Sequence, residues 1–146
     1  MLKPWRSVVV PHRDIREGRF DESIFAASLS DVVAERGPLE YRDAAAFFQK
    51  TYPTQGLVNL LAAMVGRLGG TGRGEPVIQL QTPFGGGKTH GLVALYHLFR
   101  SPEDAAGTDI LARVLEAAGA EALPQARVVA FYGTAADPLD RTPLGD

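Results

Sequence analysis

Cysteine is absent from the 146-residue chain, which excludes disulfide bonds and thiolate metal sites and is compatible with a reducing compartment. No apolar run approaches the roughly 20 residues that a membrane-spanning helix needs. The first six residues also lack the apolar core of a signal peptide. The net charge is only −2, so no overall positive field would attract nucleic acid. These absences predict a cytoplasmic protein without a membrane partner.

The clearest chemical signal that is present is a glycine-rich stretch, residues 82–89, which we call the glycine loop. Three glycines precede Lys88 and Thr89, and a segment with helical periodicity follows. Glycines allow successive backbone N–H groups to converge on an anion, and the N-terminus of a following helix adds unpaired N–H groups and partial positive charge. In a phosphate-binding loop the lysine reaches the β- and γ-phosphates and the threonine hydroxyl binds Mg²⁺. The stretch therefore predicts a Walker A loop with ATP and Mg²⁺ as its ligands.

The predicted nucleotide site follows from that loop. We expect Lys88 to be its catalytic residue and Thr89 its metal ligand. The residues predicted to bind the nucleotide are Pro83, Phe84, Gly85, Gly86, Gly87, Lys88, Thr89 and His90.

The loop departs from the strict phosphate-loop pattern at one position, because Thr82 stands where the first glycine is required. A negative φ at Thr82 would accommodate this change, with Pro83 fixing the conformation of the next residue. The alternative is a glycine-rich turn whose lysine and threonine are merely exposed.

Two short apolar runs, 76–80 and 128–132, are rich in β-branched residues, and breakers precede the first of them. Such runs are typical of buried strands. One helix is predicted from near Lys88 to before Pro102, with Leu92, Leu95, Tyr96 and Phe99 on its apolar face. A second is predicted over 108–118. Strand, helices and strand in this order predict an α/β fold with a P-loop-type parallel sheet.

The first part of the chain, residues 1–75, is predicted to form a mainly helical N-terminal region. Helices are expected from Asp21 to the Gly37-Pro38 pair, from Asp43 to Thr51, and after the capping residue Thr54. The last of these has a continuous apolar stripe typical of a core-facing helix. Its members are Leu57, Leu60, Leu61, Met64, Val65 and Leu68. Residues 76–146 would then be the first part of a P-loop ATPase core.

The glycine loop resembles the phosphate loop of AAA+ ATPases, with Thr82 in place of the first glycine. Three stretches together resemble large prokaryotic predicted ATPases catalogued as the domain of unknown function 499 family. They are residues 4–6 (Pro-Trp-Arg), 47–52 (Phe-Phe-Gln-Lys-Thr-Tyr) and 82–90 (Thr-Pro-Phe-Gly-Gly-Gly-Lys-Thr-His), and 131–135 (Phe-Tyr-Gly-Thr-Ala) continue the match. The resemblance implies ATP binding and hydrolysis, with a role linked to DNA modification or phage defence. It also implies homo-oligomers and DNA-related partners, the latter bound by further parts of the protein.

Hydrolysis needs acidic residues that the chain does not show in the expected context. The Mg²⁺-binding acid follows a second apolar strand, and a neighbouring glutamate activates water, but no apolar run followed by Asp-Glu occurs here. We therefore expect the chain to be the N-terminal part of a longer ATPase. The alternative is a non-hydrolysing nucleotide-binding or docking module, and a small-molecule kinase is a distant third hypothesis.

His90 and His97 lie seven residues apart on one predicted helix and could share a face. Metal-binding pairs on a helix prefer the i, i+4 spacing, and no carboxylate joins these two. We interpret them as core or surface histidines, and beyond its place in the predicted nucleotide-binding stretch the sequence assigns the His90 side chain no specific role.

Overall fold

The computed structural model describes residues 3–18, 26–72, 74–83 and 85–133. Within them a short 3-10 helix, Trp5–Ser7, comes first, and eight α-helices follow. They are α1 (Arg13–Arg16), α2 (Leu29–Val33), α3 (Leu39–Arg42), α4 (Ala44–Lys50), α5 (Gln55–Leu68), α6 (Lys88–Arg100), α7 (Pro102–Ala105) and α8 (Asp109–Ala118). Over the same residues, none of these helices has the length and apolar character needed to cross a membrane.

Side-chain caps begin α4, α5 and α8 where the sequence predicts these helices. In each case a side-chain oxygen accepts a hydrogen bond from the backbone N–H three residues later, which satisfies one of the unpaired donors of the first turn. The pairs are Asp43 with Ala46, Thr54 with Leu57, and Thr108 with Leu111. Gly119 ends α8 in the left-handed region, as a C-terminal glycine commonly does. The helices predicted over 43–51, after Thr54, from near Lys88 and over 108–118 are therefore confirmed.

The core lies where α4, α5, α6 and α8 meet. Helix α5 packs most extensively against α8, and α6 contacts α2, α4, α5 and α7. Most of the stripe predicted on α5 faces this core, although Leu68 at its end is exposed. The buried core side chains are Val32, Phe47, Phe48, Leu57, Val58, Leu61, Ala62, Val65, Val93, Ala94, Leu98, Ala105, Ile110, Val114 and Ala118.

The predicted apolar face of α6 is not its most buried face. Leu92 is exposed, and the other three residues predicted on that face are only half-buried. The deeply buried side chains are Val93, Ala94, His97 and Leu98. Helix α6 is apolar on two sides. One side packs on the helical core, and the other faces residues 126–131 across a groove of about 380 Å³. The large side chains used for the prediction lie on the groove side of α6, whereas its core side includes the smaller residues Val93 and Ala94.

The predicted α/β fold is wrong, since no residue in the described part of the chain forms a β-strand. Residues 76–80 and 128–132 belong to no helix or strand, and no backbone-to-backbone hydrogen bond joins them to another described residue. Val77 is 80% exposed and Phe131 is 59% exposed, so these are not buried strands. A β-branched run favours extended backbone, but a strand exists only when a neighbouring segment pairs with it. That pairing is missing among the described residues, and the P-loop-type parallel sheet is not formed.

The helix predicted from Asp21 begins later than expected. Asp21 itself lies outside the described residues, 26–28 are not helical, and α2 starts at Leu29. The Ser28 hydroxyl accepts a hydrogen bond from the backbone N–H of Asp31 at 3.3 Å and caps the helix there. A local cap within the expected helix therefore sets its true start.

Two leucines on α5 provide a test of this packing. Leu61 is fully buried and Leu68 is 46% exposed. We expect Leu61→Ala to lower the free energy of unfolding by about 2–5 kcal/mol through lost burial and a residual cavity. The matched change Leu68→Ala should cost less than about 1 kcal/mol. Urea denaturation measures both, and equal losses would contradict the buried position of Leu61.

Candidate functional site

The glycine loop turns sharply into α6. Gly85 and Gly87 have positive φ angles of 78° and 75°, a region that glycine adopts without the steric cost of a Cβ atom. Gly87 is the N-cap of α6 and, unlike Asp43, Thr54 and Thr108, offers no side chain to the first turn. The carbonyl of Gly87 accepts the N–H of Gly91 at 2.9 Å. The N–H groups of the first three helical residues have no hydrogen-bond acceptor among the described residues, as is usual for the first turn of a helix.

Lys88 folds back over the loop and is half-buried. Its Nζ atom donates hydrogen bonds to the Thr82 carbonyl oxygen at 2.9 Å, the Thr82 Oγ1 atom at 2.9 Å and the Pro83 carbonyl oxygen at 3.1 Å. All three acceptors are neutral. Among the described residues no carboxylate forms an ion pair with this ammonium group, so none of them neutralises its positive charge.

Thr82 is part of this arrangement and not merely tolerated in it. Its φ angle is not positive, which confirms the condition under which the sequence could accommodate it. Its hydroxyl donates to the Pro83 carbonyl oxygen at 3.2 Å while accepting from Lys88. A Cβ atom built on Gly86 would lie 2.5 Å from Thr82 Cβ and closer still to Oγ1. Gly86 therefore makes room for the side chain of Thr82.

An open cavity of about 560 Å³ lies beside the loop. One wall comes from the loop and the start of α6, and the opposite wall from the segment between α4 and α5 and the first turns of α5. The lining residues are Tyr52, Thr54, Gly56, Leu57, Leu60, Leu80, Thr82, Gly86, Gly87, Lys88, His90 and Gly91. The described lining thus combines apolar side chains with one cationic group, Lys88, a combination typical of small-molecule sites.

His90 joins the two walls of the cavity. Its Nε2 atom lies 3.3 Å from the Thr51 hydroxyl oxygen. Its ring packs on Phe47 with a centroid distance of 4.7 Å and meets Tyr41 edge-on at 6.1 Å. Burial lowers the pKa of the His90 imidazole below its usual value, because the charged form loses solvation. His90 is therefore a neutral ring at pH 7 that can both donate and accept a hydrogen bond.

His97 lies two turns further along α6 and is buried. Its Nε2 atom is 2.7 Å from the Tyr41 carbonyl oxygen, and because a carbonyl only accepts, Nε2 carries the proton. This bond satisfies a carbonyl in the last turn of the short helix α3. Of the two alternatives that the sequence left open, core or surface, His97 is a core histidine. Both histidines contact the Phe47 ring, at centroid distances of 4.7 and 5.4 Å.

The predicted site residues are only partly brought together. Gly86, Gly87, Lys88 and His90 line the cavity. Pro83 contributes its carbonyl to Lys88, and Phe84 lies outside the described residues. Gly85 and Thr89 are not among the lining residues, although Thr89 occupies the first turn of α6.

Sequence reasoning missed the far wall of the cavity. Tyr52, Thr54 and Gly56 lie some thirty residues before the loop in the sequence, and no motif connects the two stretches. The only signal was the resemblance that singled out residues 47–52 together with 82–90.

The contact between Thr82 and Gly86 gives a testable prediction. We expect Gly86→Ala to destabilise the protein by about 1–3 kcal/mol, because the added methyl group overlaps the side chain of Thr82. In a Thr82→Gly background the same change should cost less, since the two nearest obstructing atoms are gone and only the Pro83 carbonyl oxygen, 3.1 Å from the added Cβ atom, remains close. Gly56→Ala is the control, because a Cβ atom there meets open space. Equal costs of Gly86→Ala in both backgrounds, measured by urea denaturation, would contradict this packing.

Comparison with known families gives one match. The family profile described as DUF499 N-terminal domain matches residues 6–131, which confirms the resemblance to the domain of unknown function 499 family. Comparisons with curated proteins and with solved structures give no significant match. Because the profile covers most of the 146 residues, the chain belongs to the family of the DUF499 N-terminal domain.

Proposed function

We propose that the glycine loop binds the phosphates of ATP, taken up with Mg²⁺. The observation that carries this proposal is the Lys88 ammonium group, which is held at the mouth of the cavity by three neutral oxygens and lacks a carboxylate partner among the described residues. A cation in that state attracts an anion from solution, and charge-assisted hydrogen bonds to phosphate are stronger than those to neutral carbonyls. Phosphate oxygens can therefore displace or share the present acceptors of Lys88.

The start of α6 supports the same ligand. Gly87 provides no side-chain cap, so the N–H groups of Lys88, Thr89 and His90 are available to phosphate oxygens, and the helix dipole favours negative charge there. Thr89 is the proposed Mg²⁺ ligand. This support does not depend on a preceding strand, which the described residues lack.

The cavity next to the loop has the size that the rest of the nucleotide needs. Its volume of about 560 Å³ lies within the range of about 300–1,000 Å³ usual for small-ligand sites. Leu57, Leu60 and Leu80 form apolar surface, and Tyr52, which is 74% exposed, lies at the edge. We propose that the nucleoside part of ATP occupies this space.

Hydrolysis is a further step in the proposal and rests on family resemblance to AAA+ ATPases. Of the lining residues that the structure describes, none is a carboxylate, whereas hydrolysis requires an acid to hold Mg²⁺ and another to activate water. This observation favours a second candidate function, nucleotide binding without hydrolysis by these residues alone. Homo-oligomers, DNA-related partners and a cytoplasmic location are proposed on the same resemblance.

Titration with a fluorescent ATP analogue in the presence of Mg²⁺ tests the proposal. We expect wild-type protein to bind and Lys88→Ala to bind about 10-fold to about 150-fold more weakly, because the variant loses hydrogen bonds to a charged phosphate. Arg100→Ala is the matched control, since Arg100 is an exposed cation at the other end of α6. That variant should bind as the wild type does.

Competition with unlabelled ligands distinguishes binding of the phosphates at the glycine loop from binding of the nucleoside in the cavity. Unlabelled ATP and tripolyphosphate should both displace the analogue from wild-type protein, and adenosine should do so only weakly. Equal binding by wild type and Lys88→Ala would show that the glycine loop is not the phosphate site. Binding by the wild type without release of phosphate would favour the non-hydrolysing candidate.

A further inference from the structure

His90 is the one side chain of α6 that contacts both the cavity and the corner between α4 and α5. It lies two residues after Lys88, lines the cavity, and places Nε2 at 3.3 Å from the hydroxyl oxygen of Thr51. The motif interpretation assigns phosphates to the residues before it and leaves His90 without a role. His90 contacts a residue that lies 39 positions earlier in the sequence, and this contact requires a separate explanation.

Thr51 begins a short connection that forms the far wall. It is buried, and its backbone N–H closes the end of α4 by bonding to the Phe47 carbonyl at 2.9 Å. Three residues later the Thr54 side chain caps α5. Tyr52 and Thr54 both line the cavity. Any movement of Thr51 relative to His90 therefore changes the distance between the far wall and the glycine loop.

Apolar packing contributes to that distance, since Leu60 of α5 lies close to Gly91 of α6, and a polar contact adds to it. The Phe47 ring supports His90 from one side, but the same ring also contacts His97, so it positions α6 as a whole. The contact between His90 and Thr51 is the polar link at the level of the loop, and hydrogen bonds constrain direction more closely than apolar contacts do.

We propose that His90 is a positioning residue: its contact with Thr51 holds the α4–α5 corner at the distance from Lys88 at which one nucleotide contacts both walls. The inference rests on the proposed nucleotide function. It predicts that loss of the contact weakens nucleotide binding by the folded protein, whereas a merely structural role would change only the free energy of unfolding.

The test compares two variants at each of the two positions, one that keeps a polar atom able to form the contact and one that does not. His90→Gln keeps a polar atom near the position of Nε2, and His90→Asn ends one bond short of it. Thr51→Ser keeps the hydroxyl group, and Thr51→Val removes it with little change of shape. His97→Gln is the control, because His97 lies on the same helix and contacts Phe47 but does not line the cavity.

Affinity for the fluorescent ATP analogue is measured for each variant, with urea denaturation to confirm that each is folded. We expect His90→Asn and Thr51→Val each to weaken binding about tenfold, and the double variant to lose no more than either alone, because both changes break one contact. His90→Gln, Thr51→Ser and His97→Gln should stay within about threefold of wild type.

Two kinds of failure are distinguishable. If wild type binds and Lys88→Ala does not, but His90→Asn and Thr51→Val bind as wild type does, only the positioning role is overturned. Losses that multiply to about 100-fold in the double variant would also overturn it, since independent sites are additive in free energy. If wild type binds no nucleotide, the proposed function is wrong and the positioning role is overturned with it.

Discussion

The burial of the Phe47 ring against α6 is the interaction on which the placement of the glycine loop depends. The ring is almost fully buried and contacts both His90 and His97, so it joins α4 to two successive stretches of the same helix face. On its N-terminal side the loop follows residues 76–81, which make no backbone-to-backbone hydrogen bond with another residue in the described part of the chain. The loop is therefore positioned from its helical side, through α6 and the side chains that hold it.

The helices of the fold could be predicted where their signals are local. Thr54 and Thr108 cap helices within three residues of their own position, and the period of the leucines on α5 marks a buried face. The lack of a sheet among the described residues could not be predicted, because runs such as 128–132 favour extended backbone but carry no information on whether a partner segment lies beside them. The most buried face of α6 was predicted wrongly for a related reason. Both sides of the helix are apolar, and the elements packed against it decide which side is more buried.

The candidate site also contains residues that the sequence could predict and residues that it could not. Lys88 and Gly87 could be identified from their order before a helix, since the chemistry of a phosphate loop is local in sequence. Tyr52 and Thr54 could not, because they reach the cavity through the packing of α4 on α6. Family resemblance connected residues 47–52 with 82–90 without giving a reason, and the contact of Thr51 with His90 supplies one.

The close approach of Thr82 to Gly86 has a consequence for the history of this loop. A Cβ atom at position 86 would overlap the side chain of Thr82, so the residue that is tolerated at one position depends on the residue at the other. A relative with glycine at position 82 lacks the two atoms that would lie closest to a Cβ atom at position 86, whereas one with threonine at 82 keeps them. The order in which such changes could accumulate is then constrained, with glycine at position 86 preceding the appearance of threonine at position 82.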